Sequence, residues 1–278
     1  MVNLTDNFGW DIQQHPVSFV KEGEVITDNN FKVLSRSDNN QVLSVMSQKY
    51  CPMKTEEFEN ATKRMQEESG MKFMGFQEFN GGATLLSVLK NETPLSVNKY
   101  PIEDYLVMGT SFNGEQPFFI GTSTVLIRCQ NQFSSIHVMS RTRHTKFSFE
   151  RRETVLQSLS TYFNQRQQIY ANFEKWQDIK VTEEQKLNFV NHVLMIPDLM
   201  PGDKELATRT LNRRQELLTD IENESKELGD NIFGLFQGLT KYTTHTLKTR
   251  KEAPFGNLIG TANDLNQRGY RYALAMAA

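Results

Sequence analysis

Met71–Leu89, M-K-F-M-G-F-Q-E-F-N-G-G-A-T-L-L-S-V-L, is the stretch on which the fold turns. Apolar residues recur with a period of two on both sides of Asn80-Gly81-Gly82, and an Asn-Gly pair tolerates the positive φ of a tight turn. Met71–Phe79 and Thr84–Leu89 are therefore predicted to pair as an antiparallel hairpin. The same grammar returns downstream, where Tyr105–Phe112 and Pro117–Cys129 flank Asn113-Gly114. Two such hairpins in succession predict an antiparallel meander sheet.

Upstream, Gln41–Tyr50 lies between an Asn-Asn turn signal and Pro52 and reads as another strand. Thr55-Glu56-Glu57-Phe58 carries a capping residue followed by first-turn acids, predicting a helix from Thr55 to Ser69 that Gly70 stops. Phe58, Ala61 and Met65 form its apolar stripe. Residues 1–40 are rich in Asp, Asn, Gln and Gly and predict an irregular N-terminal arm with one or two short strands. After Ser140 the apolar period lengthens: Val155, Leu159, Tyr162, Ile169, Phe173 and Trp176 predict one long amphipathic helix over 150–178, with Arg166 in its seam. Further helices are expected at Thr182–Met195, Asp203–Leu228, Asn231–Lys248 and Thr261–Ala278. The fold class is α+β: an antiparallel meander in the first half packed on the long helix, and a helical C-terminal portion. The expected divisions are the arm at 1–40, a core at 41–180 and a helical region at 181–278. A helical stripe longer than a strand needs cover along its distal half, which predicts self-association into a homo-oligomer, with cover by the later helices as the competing arrangement.

The residues that announce chemistry are few. The two cysteines, Cys51 and Cys129, belong to no C-x-x-C pair, which argues against a zinc site, a redox dithiol or a disulfide framework and for a reducing, cytoplasmic setting. No secretory leader and no run of about 18 apolar residues suggests export or a membrane span. Neither phosphate-cradling glycine motif is present, the five histidines show no metal-ligand spacing, and no nucleophile elbow surrounds a serine. These exclusions predict no cofactor, no metal and no catalytic residue. A metal-dependent nuclease is the least unlikely enzyme, and the paired acids for it do not assemble.

Charge is segregated even though 31 basic and 33 acidic residues leave the chain at −2. Between residues 128 and 152 the bases Arg128, Arg141, Arg143, Lys146, Arg151 and Arg152 face one acid, Glu150, with His144, Phe147 and Phe149 interleaved. Guanidinium groups beside aromatic rings supply phosphate contacts and stacking faces, the two ingredients of single-strand binding. Arg151 and Arg152 also stand near a helix N-terminus, where the dipole disfavours cations, which points to an external partner for them. Lys241, Lys248, Arg250 and Lys251 make a secondary basic patch, and Glu216–Asp230 an acidic stretch.

Several blocks also carry a resemblance. V-L-S-R-S-D-N-N-Q-V-L-S-V-M-S-Q-K-Y at 33–50, V-L-I-R-C-Q-N at 125–131, R-T-R-H-T at 141–145, L-T-K-Y-T-T-H at 239–245 and the final helix from Gly260 through Leu265, Arg268 and Ala273 resemble domain-of-unknown-function family 932. That resemblance implies a bacteriophage or plasmid context and no settled activity. Where relatives often carry an acid beside the late histidine this chain has Thr244 before His245, which weakens an acid–histidine mechanism. In element order the chain is also similar to RecT/Redβ-type annealing proteins, which implies a basic DNA groove in an oligomer. The function expected is non-catalytic binding of single-stranded DNA, with strand annealing as its use. A protein-binding module, inhibiting a host factor or sitting in a virion, is the alternative.

Overall fold

Positive φ at Asn80 (53°), Gly81 (68°) and Gly82 (98°) closes the central hairpin where the sequence places it. The computed structural model describes residues 5–93, 95–97, 100–126, 137–146, 149–157, 159–197, 206–247 and 261–278. The fold is α+β, with antiparallel sheets in the first half and helices mostly in the second. Strands β4 (Lys72–Phe79) and β5 (Thr84–Lys90) pair in the register Phe79↔Thr84. They continue into a sheet of order β4-β5-β7-β8-β9, where β7 is Tyr100–Ser111, β8 is Phe118–Leu126 and β9 is His137–Thr142. The short strand β6 (Leu95–Val97) pairs with β7. β5 is an almost unbroken buried run and forms the sheet's interior.

The N-terminal segment differs from the irregular arm that its composition predicts. Strands β1 (Ile12–Lys21) and β2 (Glu24–Arg36) form a long hairpin, and β3 (Val42–Ser47) completes an antiparallel sheet of order β1-β2-β3. Near the turn, Phe19 pairs with Ile26 and Val20 with Val25, and all four are exposed. Both faces there meet solvent, so no buried face imposes the alternation by which a strand is recognised. The inner end is anchored. Arg36 lies 4.2 Å over the Trp10 ring, forks onto Asp38 and reaches Glu78 at 2.5 Å, while Trp10 Nε1 donates to Glu78 at 2.7 Å.

Helix α1 spans Thr55–Ser69, and Gly70 ends it at φ 66°. Its N-cap is Lys54, one residue before the expected Thr55. The Thr55 hydroxyl donates instead to the Trp10 carbonyl at 2.5 Å, a tertiary contact that outcompetes capping. The backbone N–H of Lys54 donates to the Glu57 carboxylate at 3.2 Å.

The expected long helix is two: α2 (Phe149–Leu156) and α3 (Leu159–Asp178). The stripe serves two cores, which removes the reason for one straight rod. Val155 and Leu156 pack with Phe58, Phe76 and Leu106, whereas Tyr170, Phe173 and Trp176 pack with Phe189 and Phe233. The chain divides accordingly into a first unit, Met1–Pro94, Glu103–Ser123 and Val138–Phe163, and a second, Leu95–Ile102, Thr124–His137 and Asn164–Ala278.

Within the second unit, helices α4 (Glu183–Leu194), α5 (Thr208–Leu228), α6 (Ile232–Lys241) and α7 (Thr261–Met276) surround Trp176. Thr182 caps α4 as its sequence predicts, accepting from Gln185 N–H. The α6 segment continues as a π turn, Tyr242–Thr246, rather than as α-helix to Lys248. Trp176 stacks at 5.6 Å on Phe236 and 5.3 Å on Tyr270, so the distal stripe of α3 is covered by later helices of the same chain. Arg166, in the seam, lies 5.6 Å over the Tyr170 ring.

Candidate nucleic-acid interface

Arg141-Thr142-Arg143-His144-Thr145 runs off the end of β9 still in strand alternation. Arg141, Arg143 and Thr145 are exposed, and Thr142 and His144 are buried. Two residues of strand separate the arginines by about 6.6 Å along the chain on one face. Backbone pairing fixes this extension: Cys51 N–H donates to the His144 carbonyl at 2.9 Å, and Tyr50 bridges Thr145. Helix α2 supplies a third cation. Successive helical residues are turned by about 100°, so Arg151 faces outward while Arg152 faces inward.

Arg141, Arg143 and Arg151 line one pocket of about 1060 Å³ within the first unit. Buried Tyr50, Thr142, His144 and Val155 also line it, and no described residue lining it is acidic. Arg141 and Arg151 make no ion pair among the described residues. Such a pocket is a net cationic concavity with hydroxyl donors, at the upper end of the ~300–1,000 Å³ range of small-ligand sites.

His144 is only 5% exposed. Burial pushes its pKa down to about 4, with the Arg152 charge adding to the effect and the nearby Gln116 carbonyl offsetting part of it. It is neutral at physiological pH. Its Nε2 lies 3.3 Å from the Thr110 hydroxyl. Tyr50 packs its ring 5.3 Å from the imidazole and donates its hydroxyl to the Ser111 carbonyl at 2.6 Å. Burial raises the Tyr50 pKa, so the phenol stays protonated.

Arg152 has an internal explanation that its sequence position conceals. It is buried, donates to the Glu57 carboxylate at 2.8 Å and to the Cys51 carbonyl at 3.0 Å, and ties α2 to the start of α1. Burial lowers its pKa and the Glu57 charge works against that, so the pair is a structural clamp. It does not reach the pocket surface. The structure thus brings Arg141, Arg143, His144 and Arg151 together and turns Arg152 away. Lys146 is exposed after this stretch. Arg128 and Phe147 lie outside the described residues, and Phe149 is the first residue of α2. In the secondary patch Lys241 pairs with Glu224 at 2.9 Å, while Lys248, Arg250 and Lys251 lie outside the described residues. Tyr50 and Gln116 were missing from the sequence-derived site, since only the bridge to Thr145 and the second hairpin's turn carry them there.

A family model matches most of the chain. The model described as Domain of unknown function (DUF932) matches residues 42–262, about four fifths of the chain. The chain belongs to that family. The DUF932 region opens at β3, contains every described residue of the pocket and ends within α7. The β1–β2 hairpin precedes it. The DUF932 description assigns no activity. Neither a curated protein nor a solved structure matches the chain. Among the described residues no group of three or more His, Cys, Asp or Glu stands where it could hold a metal ion. None of the described helices is long and apolar enough to cross a membrane.

Proposed function

We propose that this DUF932 protein binds single-stranded DNA without catalysis, in the cytoplasmic DNA metabolism of a phage or mobile element, with strand annealing as its use. One observation carries the reading: three arginines from two elements converge on a pocket with no acidic lining among the described residues. A duplex presents a convex surface too broad for a concavity of this size, whereas a single strand offers its phosphates one nucleotide at a time. Fluorescence anisotropy with single-stranded and duplex oligonucleotides of one sequence tests it. Tighter binding of the single strand, lost in an Arg141→Glu/Arg143→Glu variant that keeps its melting temperature, is the expected result. Equal or absent binding ends the proposal.

A second reading rests on a different place. The outer β1–β2 hairpin exposes Phe19 at 50% and Val25 at 73%, a two-sided apolar ribbon of the kind that docks to a protein partner. If Phe19→Ser/Val25→Ser abolishes a pull-down partner while the arginine variants retain it, protein binding takes precedence.

A further inference from the structure

The outer end of the β1–β2 hairpin is a ribbon without cover. β3 flanks β2 along Phe31–Ser35, but from Val17 to Asp28 the two strands pair, among the described residues, only with each other. Such a two-stranded ribbon is marginally stable in water by itself. Five residues of strand carry its tip about 17 Å past the rung that pairs Pro16 with Lys32. Glu22 and Gly23 close the tip with φ of 54° and 89°, in the tight turn where asparagine or aspartate ordinarily precedes glycine. A glutamate held in that left-handed region costs conformational energy, and what it secures is an acid at the outermost point of the hairpin. Just behind the turn Val20 pairs with Val25, and the two are 70% and 73% exposed. Within 17–28 the three acids Glu22, Glu24 and Asp28 face Lys21 alone, so a nucleic acid or an anionic lipid surface is repelled and a cationic protein surface is attracted.

The pocket of the first unit has the opposite character. Arg141 and Arg151 line it with no ion pair among the described residues, and Met46 and Pro117 add apolar lining. Glu22 and Glu24 likewise make no ion pair among the described residues, so the tip does not fill the pocket of its own chain. We propose that the hairpin tip of one copy docks in the arginine pocket of a second copy. Glu22 and Glu24 meet Arg141 and Arg151 there, and the Val20–Val25 shoulder meets Met46 and Pro117. Each copy carries one hairpin and one pocket, so copies join head to tail or exchange hairpins as a pair. The contact needs no DNA, but it uses arginines assigned above to the strand, so a neighbour's hairpin and a single strand exclude each other.

Sedimentation velocity of the full chain tests it, with Glu22→Lys/Glu24→Lys and Arg141→Glu/Arg151→Glu variants, all four positions being exposed. The parent chain is expected to assemble at micromolar concentration in low salt and to disperse in 1 M salt, where the Debye length is about 3 Å. Each variant alone is expected to sediment as a monomer, because like charges then meet. An equal mixture of the two is expected to restore a complex, because the lysines of one variant's hairpin meet the glutamates of the other's pocket. Unfolded chains could not give that restoration. A parent chain that stays monomeric in low salt overturns the proposal and leaves the ribbon to a different protein. Assembly unchanged in either variant, or lost in both and not restored by mixing, also overturns it. A single-stranded oligonucleotide is expected to disperse the assembly, and one that binds without dispersing it overturns the shared pocket. Restoration by mixing, with no oligonucleotide bound by the parent chain, upholds the contact and removes the single-strand reading.

Discussion

Neighbouring arginines in one sequence do opposite things here, and the helix decides which. Arg152→Met takes one charged donor from the Glu57 carboxylate and one from the Cys51 carbonyl. Breaking a buried pair costs about 3–5 kcal/mol, and because the Glu57 side chain is 36% exposed the expected loss is nearer ~2 kcal/mol in urea denaturation. Arg151→Ala is expected to change stability by less than about 0.5 kcal/mol and to weaken oligonucleotide binding. A destabilised Arg151 variant with intact binding would reverse the two roles. His144 sets an acid limit. Unfolded it titrates near 6.5, and folded, burial holds it at about 4, so between those values the unfolded chain takes up the proton first. Its contribution is therefore whole above about pH 6.5 and is lost as pH falls toward 4, a difference on the order of 3 kcal/mol. Denaturation curves at pH 7, 5.5 and 4.5 are expected to fall less steeply for His144→Gln than for the parent chain, and parallel slopes would show that the imidazole does not carry the effect.

Turns and alternation are local properties, and the elements that depend on them were readable before any contact was known. The Asn80–Gly82 turn is the plainest case, and it holds more than a conformation. A Cβ on Gly82 would come within 2.8 Å of both the Arg36 guanidinium and the Trp10 ring, at a φ of 98° that side chains resist. Gly82→Ala is therefore expected to cost on the order of 1–3 kcal/mol and to loosen the β1–β2 hairpin from the core, seen as faster amide exchange at Arg36 and Trp10. Exchange unchanged at those positions would mean that the clamp tolerates the methyl group. The hairpin itself was hidden, because a ribbon wet on both faces shows no period. The break between α2 and α3 was hidden for the opposite reason: two stripes facing two cores share one phase in the sequence. In the site, Arg141 and Arg143 were legible as charge, whereas Tyr50 reaches the pocket through a bridge to Thr145 that spans 95 residues and leaves no local sign.

At the scale of the whole molecule the charge of −2 opposes a polyanion, and binding depends on how far each charge is felt. At about 0.1 M salt the Debye length is about 10 Å, so a strand seated at Arg141, Arg143 and Arg151 senses those three groups and little of the rest. Each phosphate neutralised on a single strand contributes about 0.7 to the slope of log affinity against log salt, so three contacts predict a slope near −2. Replacing all three arginines with glutamine is expected to flatten that slope toward zero. Lys241→Gln is expected to leave it unchanged, because Glu224 already holds that cation. The dependence also has a limit at the dilute end. Near 0.01 M the Debye length reaches about 30 Å, the net negative charge comes into range, and the line is expected to bend below its extrapolation. A straight line of slope −2 down to that concentration would mean that the acidic groups are too remote to oppose the strand. A slope steeper than about −4 would mean that basic groups beyond these three grip phosphate.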